Sequence, residues 1–183
     1  MKKIIFALLS ILPVIAADAQ SIYITKTGSV TFHSRSTVEK VEAENNEVSS
    51  VLNTQNGEMV FAILLKSFHF DRALMEEHFN ENYVESNKFP KSTFKGKITN
   101  LADINLTRDG TYTTSVEGDM NLHGITKRIK TMGSLTIKSG KVQVNATFTI
   151  KLADFNITIP ALVEDKISEQ IDITVDCRYD KKN

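Results

Sequence analysis

The chain has one cysteine, Cys177, among its 183 residues, no tryptophan, 3 prolines and 8 glycines. A single thiol excludes an intrachain disulfide and a cysteine-rich metal site. So few glycines leave little material for the Gly-rich loops that cradle phosphates. Charge of one sign is lacking too: 22 basic side chains stand against 22 acidic ones, a formal net charge of zero. A nucleic-acid binder carries a basic excess to neutralise phosphates, so no nucleic-acid partner is expected. With 41% hydrophobic and 24% charged residues, the composition is that of an ordinary globular protein.

The one apolar run that resembles a targeting segment comes first. Met1-Lys2-Lys3 is followed by apolar residues from Ile4 to Ala17, and then by Ala17-Asp18-Ala19. A basic start, a short greasy core and an A-x-A ending are the parts of a cleavable secretory leader. The core is interrupted by Ser10 and Pro13 and falls short of the ~20 residues that span a bilayer. The expectation is a leader over residues 1–19, a periplasmic destination, and one domain over 20–183 with no membrane span. In an oxidising compartment a lone thiol needs shielding. Cys177 alternates with apolar neighbours and is expected to be buried and inert.

Beyond the leader the dominant signal is period two. Val142, Val144, Ala146, Phe148, Ile150 and Leu152 share one face, opposed by Gln143, Asn145, Thr147, Thr149 and Lys151. Such alternation marks a half-buried strand. The same period runs through Tyr112–Leu122 and Ile171–Tyr179. It predicts eight strands, near 21–35 (bulged at Gly28), 47–53, 58–68, 92–99, 111–122, 129–138, 141–152 and 170–179. The dipeptides Asn56-Gly57, Asp109-Gly110 and Ser139-Gly140 read as hairpin turns, and Glu39–Glu47 as a solvated acidic stretch. Asp71 is placed to cap a helix over 71–84, with Leu74, Met75, His78 and Phe79 on one face. That helix could cover the outer side of Met59–Leu65, which is apolar on both faces. A second helical turn is expected at Ala161-Leu162-Val163. An all-β antiparallel meander of this size becomes either a two-sheet sandwich or a closed barrel, and a barrel of eight strands is filled by side chains or holds one small ligand.

Several segments carry more than periodicity. Phe89-Pro90-Lys91-Ser92-Thr93-Phe94-Lys95-Gly96 resembles the Pro-to-Phe strand start of the YceI-like family of exported bacterial proteins. Gly118-Asp119-Met120-Asn121-Leu122-His123-Gly124-Ile125-Thr126-Lys127 is similar to that family's "GxLxlhGvTk" hairpin. Met75, His78, Phe79 and Asn80 lie where the family has a short helix, although the usual double Phe is here His78-Phe79. Leu152-Ala153-Asp154-Phe155-Asn156-Ile157 resembles the family's approach to its last strand. The resemblance spans roughly residues 21–179 and agrees with the period-two reading. It implies an antiparallel eight-stranded lipocalin-like barrel with one or two short helices near an opening, a polyisoprenoid or fatty acyl ligand inside, and relatives that pair as homodimers.

The inward apolar faces supply candidate wall residues: Phe32, Phe61, Ile63, Phe94, Val116, Met120, Leu135, Val144, Phe148, Ile173 and Val175. Met75 and Phe79 are candidate lid residues at the mouth. Taken alone, these side chains fit a filled core as well as a hollow one. An alternative is therefore a filled-barrel exported scaffold or stress-response protein that acts through a protein partner.

Catalysis is not expected. No G-x-S-x-G elbow is present. His33, His69, His78 and His123 lack zinc-ligand spacing, so neither metal nor cofactor is expected. An outer-membrane barrel is disfavoured as well, because its lipid-facing side would have to carry the Lys, Glu and Asp of the polar strand faces.

Overall fold

A computed structural model describes residues 22–34, 36 and 39–182. The expected leader, with its Ala17-Asp18-Ala19 ending, lies outside the described residues. The strands are β1 (Ile22–Ser34), β2 (Val41–Asn53), β3 (Glu58–Leu64), β4 (His69–Phe70), β5 (Lys91–Ile98), β6 (Gly110–Leu122), β7 (Ile125–Lys138), β8 (Lys141–Lys151) and β9 (Gln170–Lys181). Each pairs antiparallel with its neighbours in the order β1-β9-β8-β7-β6-β5-β3-β2, and β2 pairs back onto β1. The sheet thus closes into an eight-stranded barrel, and β4 is a short continuation beside β2. Closure leaves no long open sheet edge at the first and last strands, which a sandwich would expose.

The facing of the strands follows their alternation. Thr114, Val116, Gly118 and Leu122 of β6 are buried, as are Val142, Val144 and Ile150 of β8 and Ile171, Cys177 and Tyr179 of β9. The predicted bulge is present, since the β1–β2 register shifts on both sides of Gly28. Cys177 is fully buried, and a Cβ on Gly28 would overlap its Sγ. Burial, reinforced by Asp176, pushes the Cys177 thiol up to about 12.

Turn chemistry holds at three hairpins and fails at one. Asn56-Gly57 links β2 to β3, with the Gly57 N–H donating to Asn53 O at 2.9 Å. Ser139-Gly140 (φ 51° and 76°) and His123-Gly124 (φ 51° and 76°) are tight turns with both residues left-handed, the geometry that matches strand twist. Asp109-Gly110 is not a hairpin. Gly110 opens β6 after an eleven-residue-scale connection containing a 3-10 turn at Leu101–Asp103. Asp109 instead accepts the Ser139 N–H with both carboxylate oxygens, at 3.0 and 3.1 Å, tying this connection to the neighbouring hairpin.

Other expectations are corrected. β2 begins at Val41, so most of the Glu39–Glu47 stretch is strand, with Ala43 and Asn45 turned inward and Glu44 outward. Glutamates on an outward face cost a strand little when the opposite face is buried, which is why acidity masked it. The strand expected over 58–68 is interrupted by a 3-10 turn at Leu65–Ser67 before β4 resumes. At the break, the buried Asn45 side chain donates to Leu64 O at 2.8 Å and accepts from Glu47 N, replacing ladder bonds. β7 starts at Ile125, earlier than expected.

The predicted helix is shorter than expected. It comprises α1 (Ala73–His78) and a wider turn over Phe79–Tyr83. Its N-cap is Arg72, with no side-chain cap bond, so Asp71 does not cap it. Nor does α1 cover β3, whose outward Val60 and Leu64 are 42% and 47% exposed. It lies at the barrel mouth. The Ala161–Val163 turn forms as expected, also at that end.

One half of the barrel is packed solid. Leu52, Ile98, Leu135, Ile137, Val142, Cys177 and Tyr179 meet there, and Ile104 is sent in from the β5–β6 connection. The buried hydroxyl of Tyr179 donates to Ser50 Oγ (2.7 Å), which donates to Val60 O (2.9 Å). The other half is hollow.

Candidate functional site: an apolar cavity in the barrel mouth

The hollow half encloses a cavity of about 490 Å³, lined almost entirely by apolar side chains. That volume falls within the range of small-molecule pockets. All the wall and lid candidates except Leu135 line it: Phe32, Phe61, Ile63, Met75, Phe79, Phe94, Val116, Met120, Val144, Phe148, Ile173 and Val175. Leu135 points inward as expected, but it is fully buried in the solid half, below the cavity floor. A wholly filled barrel is therefore not what these side chains build.

The floor and the roof are made differently. At the floor, Phe94 lies edge-on to Phe61, with ring centroids 6.2 Å apart. Under the roof, Phe79 stacks on Phe32 at 5.4 Å and meets Phe68 and Phe70 at 5.6 and 5.2 Å. Phe32 also touches Phe68 and Phe70. Ring pairs at these spacings add to simple burial. No residue of α1 is buried; the Phe79 ring that follows it and the Phe70 N–H donated to Glu76 Oε2 (3.3 Å) tie the helix to the roof.

Polar groups are few and lie towards the rim. Arg72 pairs with Glu39, and Lys166, His78 and Tyr83 complete the charged or titratable lining. Ser92 also lines the hollow, its Oγ satisfied by donating to Asn121 O. Burial pushes the Tyr83 phenol up. Among the described residues, no group of three or more His, Cys, Asp or Glu side chains is placed to hold a metal ion.

His123 organises the rim beside the cavity. Its side chain is only 12% exposed; Nδ1 lies 3.0 Å from Phe155 O and Nε2 lies 2.7 Å from Glu85 Oε2. Phe89 meets the ring edge-on at 4.8 Å. The imidazole thus joins three segments: the loop after α1, the β6–β7 hairpin and the 3-10 turn Leu152–Phe155. The hydrogen bond from His123, helped by Lys88, holds the Glu85 carboxyl below its usual range despite partial desolvation. Three residues of this junction, Glu85, His123 and Asn156, have left-handed backbone.

Some lining residues were missed at the sequence level. Ile150 and Ile171 already lay on faces read as inward, so their signal was present. Phe68 and Phe70 were obscured by the broken strand. Ile157, Val163 and Ile167 come from the irregular β8–β9 connection, where no period marks which side chains turn in.

Comparisons with known proteins agree with this architecture. A polyisoprenoid-binding domain from Saccharophagus degradans, implicated in plant cell wall breakdown, superposes with a TM-score of 0.78 at 18% identity, covering 89% of this chain and 99% of that one. BcnA of Burkholderia cenocepacia gives 0.70 at 12% identity, covering 84% and 96%. The YceI protein of Campylobacter jejuni gives 0.57 at 13% identity, covering both chains fully. At these identities the likeness is one of fold. None of the curated proteins matches the sequence. The model of the YceI-like domain matches residues 23–179, most of the sequence and every strand of the barrel, and the chain belongs to the YceI-like family.

Proposed function

We propose that this protein is an exported, periplasmic binding protein that sequesters or carries a polyisoprenoid or another lipid-like chain inside its barrel. The observation that carries the reading is the apolar cavity, closed at one end and about 490 Å³ in volume. Each Å² of apolar surface taken from water there contributes ~25 cal/mol, and a chain-like guest offers little else to recognise. The Saccharophagus neighbour is described as polyisoprenoid-binding, which supports the same ligand class. The leader pattern at residues 1–19 supports export. The role is binding and not catalysis: the cavity wall is apolar, and its few polar groups sit at the rim instead of converging on a reacting centre.

Native mass spectrometry of protein purified from its own periplasm tests this. A co-purifying isoprenoid or fatty acyl species is the expected result. Protein that arrives empty and also ignores added lipid would overturn the reading and favour a scaffold acting through a protein partner.

A further inference from the structure

Around most of the barrel, neighbouring strands are zipped along their shared length. β6 and β7 pair from Gly110–Ile137 through Leu122–Ile125, and β8 and β9 from Val142–Tyr179 through Lys151–Gln170. Between β7 and β8 the ladder runs only from Lys138–Lys141 to Gly133–Ala146. Above that point, among the described residues, Ile125–Met132 of β7 and Thr147–Lys151 of β8 have no ladder partner across the seam, and the strands part. The fork sits at Gly133, where a Cβ would stand 2.6 Å from Asn145 O. The upper end of the seam is stopped by the Leu152–Phe155 turn, anchored through Phe155 O to His123.

This seam opens onto the cavity. Ile129 and Thr131 on one lip, and Ala146 and Phe148 on the other, are cavity-lining residues, and all four are only half-buried. On the outside of the lips stand Met132, 57% exposed, and Thr147, exposed. Along the fully laddered β6–β7 and β8–β9 seams, a passage would require breaking backbone hydrogen bonds. Here only side chains stand in the way, and partly exposed side chains change rotamer within nanoseconds. The inner throat is apolar, while the lips carry backbone N–H and C=O groups that no β7–β8 ladder pair engages. That arrangement suits an amphiphile with its tail inside and its polar end outside.

We propose that the β7–β8 seam is a lateral port through which the tail of a chain-like amphiphile enters and leaves the cavity. This rests on the binding reading above and adds a route to it. The test uses cis-parinaric acid, a polyene fatty acid whose fluorescence rises in an apolar site, with association and dissociation followed by stopped flow. The double variant Met132→Cys/Thr147→Cys continues the ladder register by one pair on the outer side of the barrel, and oxidation staples the fork. Cys177 is fully buried and does not compete. A second variant, Lys130→Trp/Thr149→Trp, crowds the outer lips without a covalent link, and it decides the matter if the staple does not form.

A port predicts that oxidation slows both rates by about tenfold, reversibly on reduction, with the Kd within about twofold of its starting value, because a barrier changes rates and not the end states. The tryptophan pair should slow both in the same sense. Unchanged rates, or a change in Kd alone, would overturn the port while leaving cavity binding intact. Failure of the unaltered protein to bind parinaric acid would instead defeat the binding reading, and the port with it.

Discussion

Gly96 and Gly118 face each other across β5 and β6, and the ring of Phe94 lies against both. Two absent side chains make the space that lets this aromatic fold down onto the wall and form part of the cavity floor. A Cβ on Gly118 would stand 2.5 Å from Gly96 Cα, Lys95 O and Phe94 Cζ. Two of those three atoms are backbone, so they yield poorly.

Gly118→Ala should therefore destabilise the protein by about 1–3 kcal/mol, the usual range for overpacking, and push Phe94 into the hollow. The midpoint of urea denaturation reads the first effect and parinaric acid affinity the second. A variant as stable as the parent would show that the strands part easily at this pair.

The Tyr179–Ser50 bond predicts an asymmetry. Ser50→Ala strands a buried phenol hydroxyl and should cost about 1–3 kcal/mol, whereas Tyr179→Phe removes that hydroxyl altogether and should cost about 0.5–1.5 kcal/mol. Adding Tyr179→Phe to Ser50→Ala should then restore part of the loss in a thermal melt. Equal costs would mean that water reaches the pair.

Alkaline stability should depend on Cys177. Its thiol titrates near 12 in the folded chain, against 9.0 for an unperturbed one. The folded value is the higher, so the contribution is complete below the ordinary thiol value and is lost as pH rises from about 9 to about 12. Cys177→Ala should be less sensitive to pH over that interval when compared by denaturant titration. A thiol reagent should react with the native protein only as fast as it unfolds. Rapid labelling of folded protein would contradict the burial.

Phe148 and Thr147 are neighbours on β8 with opposite fates. Phe148 lines the cavity, while Thr147 is exposed, with its hydroxyl beside that of Thr174. Phe148→Asp puts a carboxylate into an apolar hollow and should abolish lipid uptake or folding. Thr147→Asp should change stability by no more than about 0.5 kcal/mol and leave the affinity for parinaric acid unaltered. Equal effects on uptake would mean that the strand's facing is wrong.

Much of this architecture was legible because the chain states it locally. Period two in 112–122, 142–152 and 171–179 settles which side chains turn inward, since successive residues of a strand must face opposite ways. Positive-φ turn residues at Ser139-Gly140 settle one hairpin. The acidic run before Val48 hid the first half of β2, because polarity on an outward face resembles a loop when the inward partners are as small or polar as Ala43 and Asn45. The helix was legible in type but not in place: apolar residues on a short helix say that it covers something, not what.

The line between solid and hollow was drawn by tertiary structure alone. Leu135 and Val144 pair directly across β7 and β8, both apolar and both inward, yet only Val144 borders the cavity. Alternation fixes direction, but filling depends on what arrives from the opposite wall and from the ends, and Ile104 arrives at one end only. Where β7 and β8 separate is likewise a matter of how the closed sheet twists and of the turn wedged above Gly133. Facing is a local property of the strand, whereas vacancy is a property of the whole barrel.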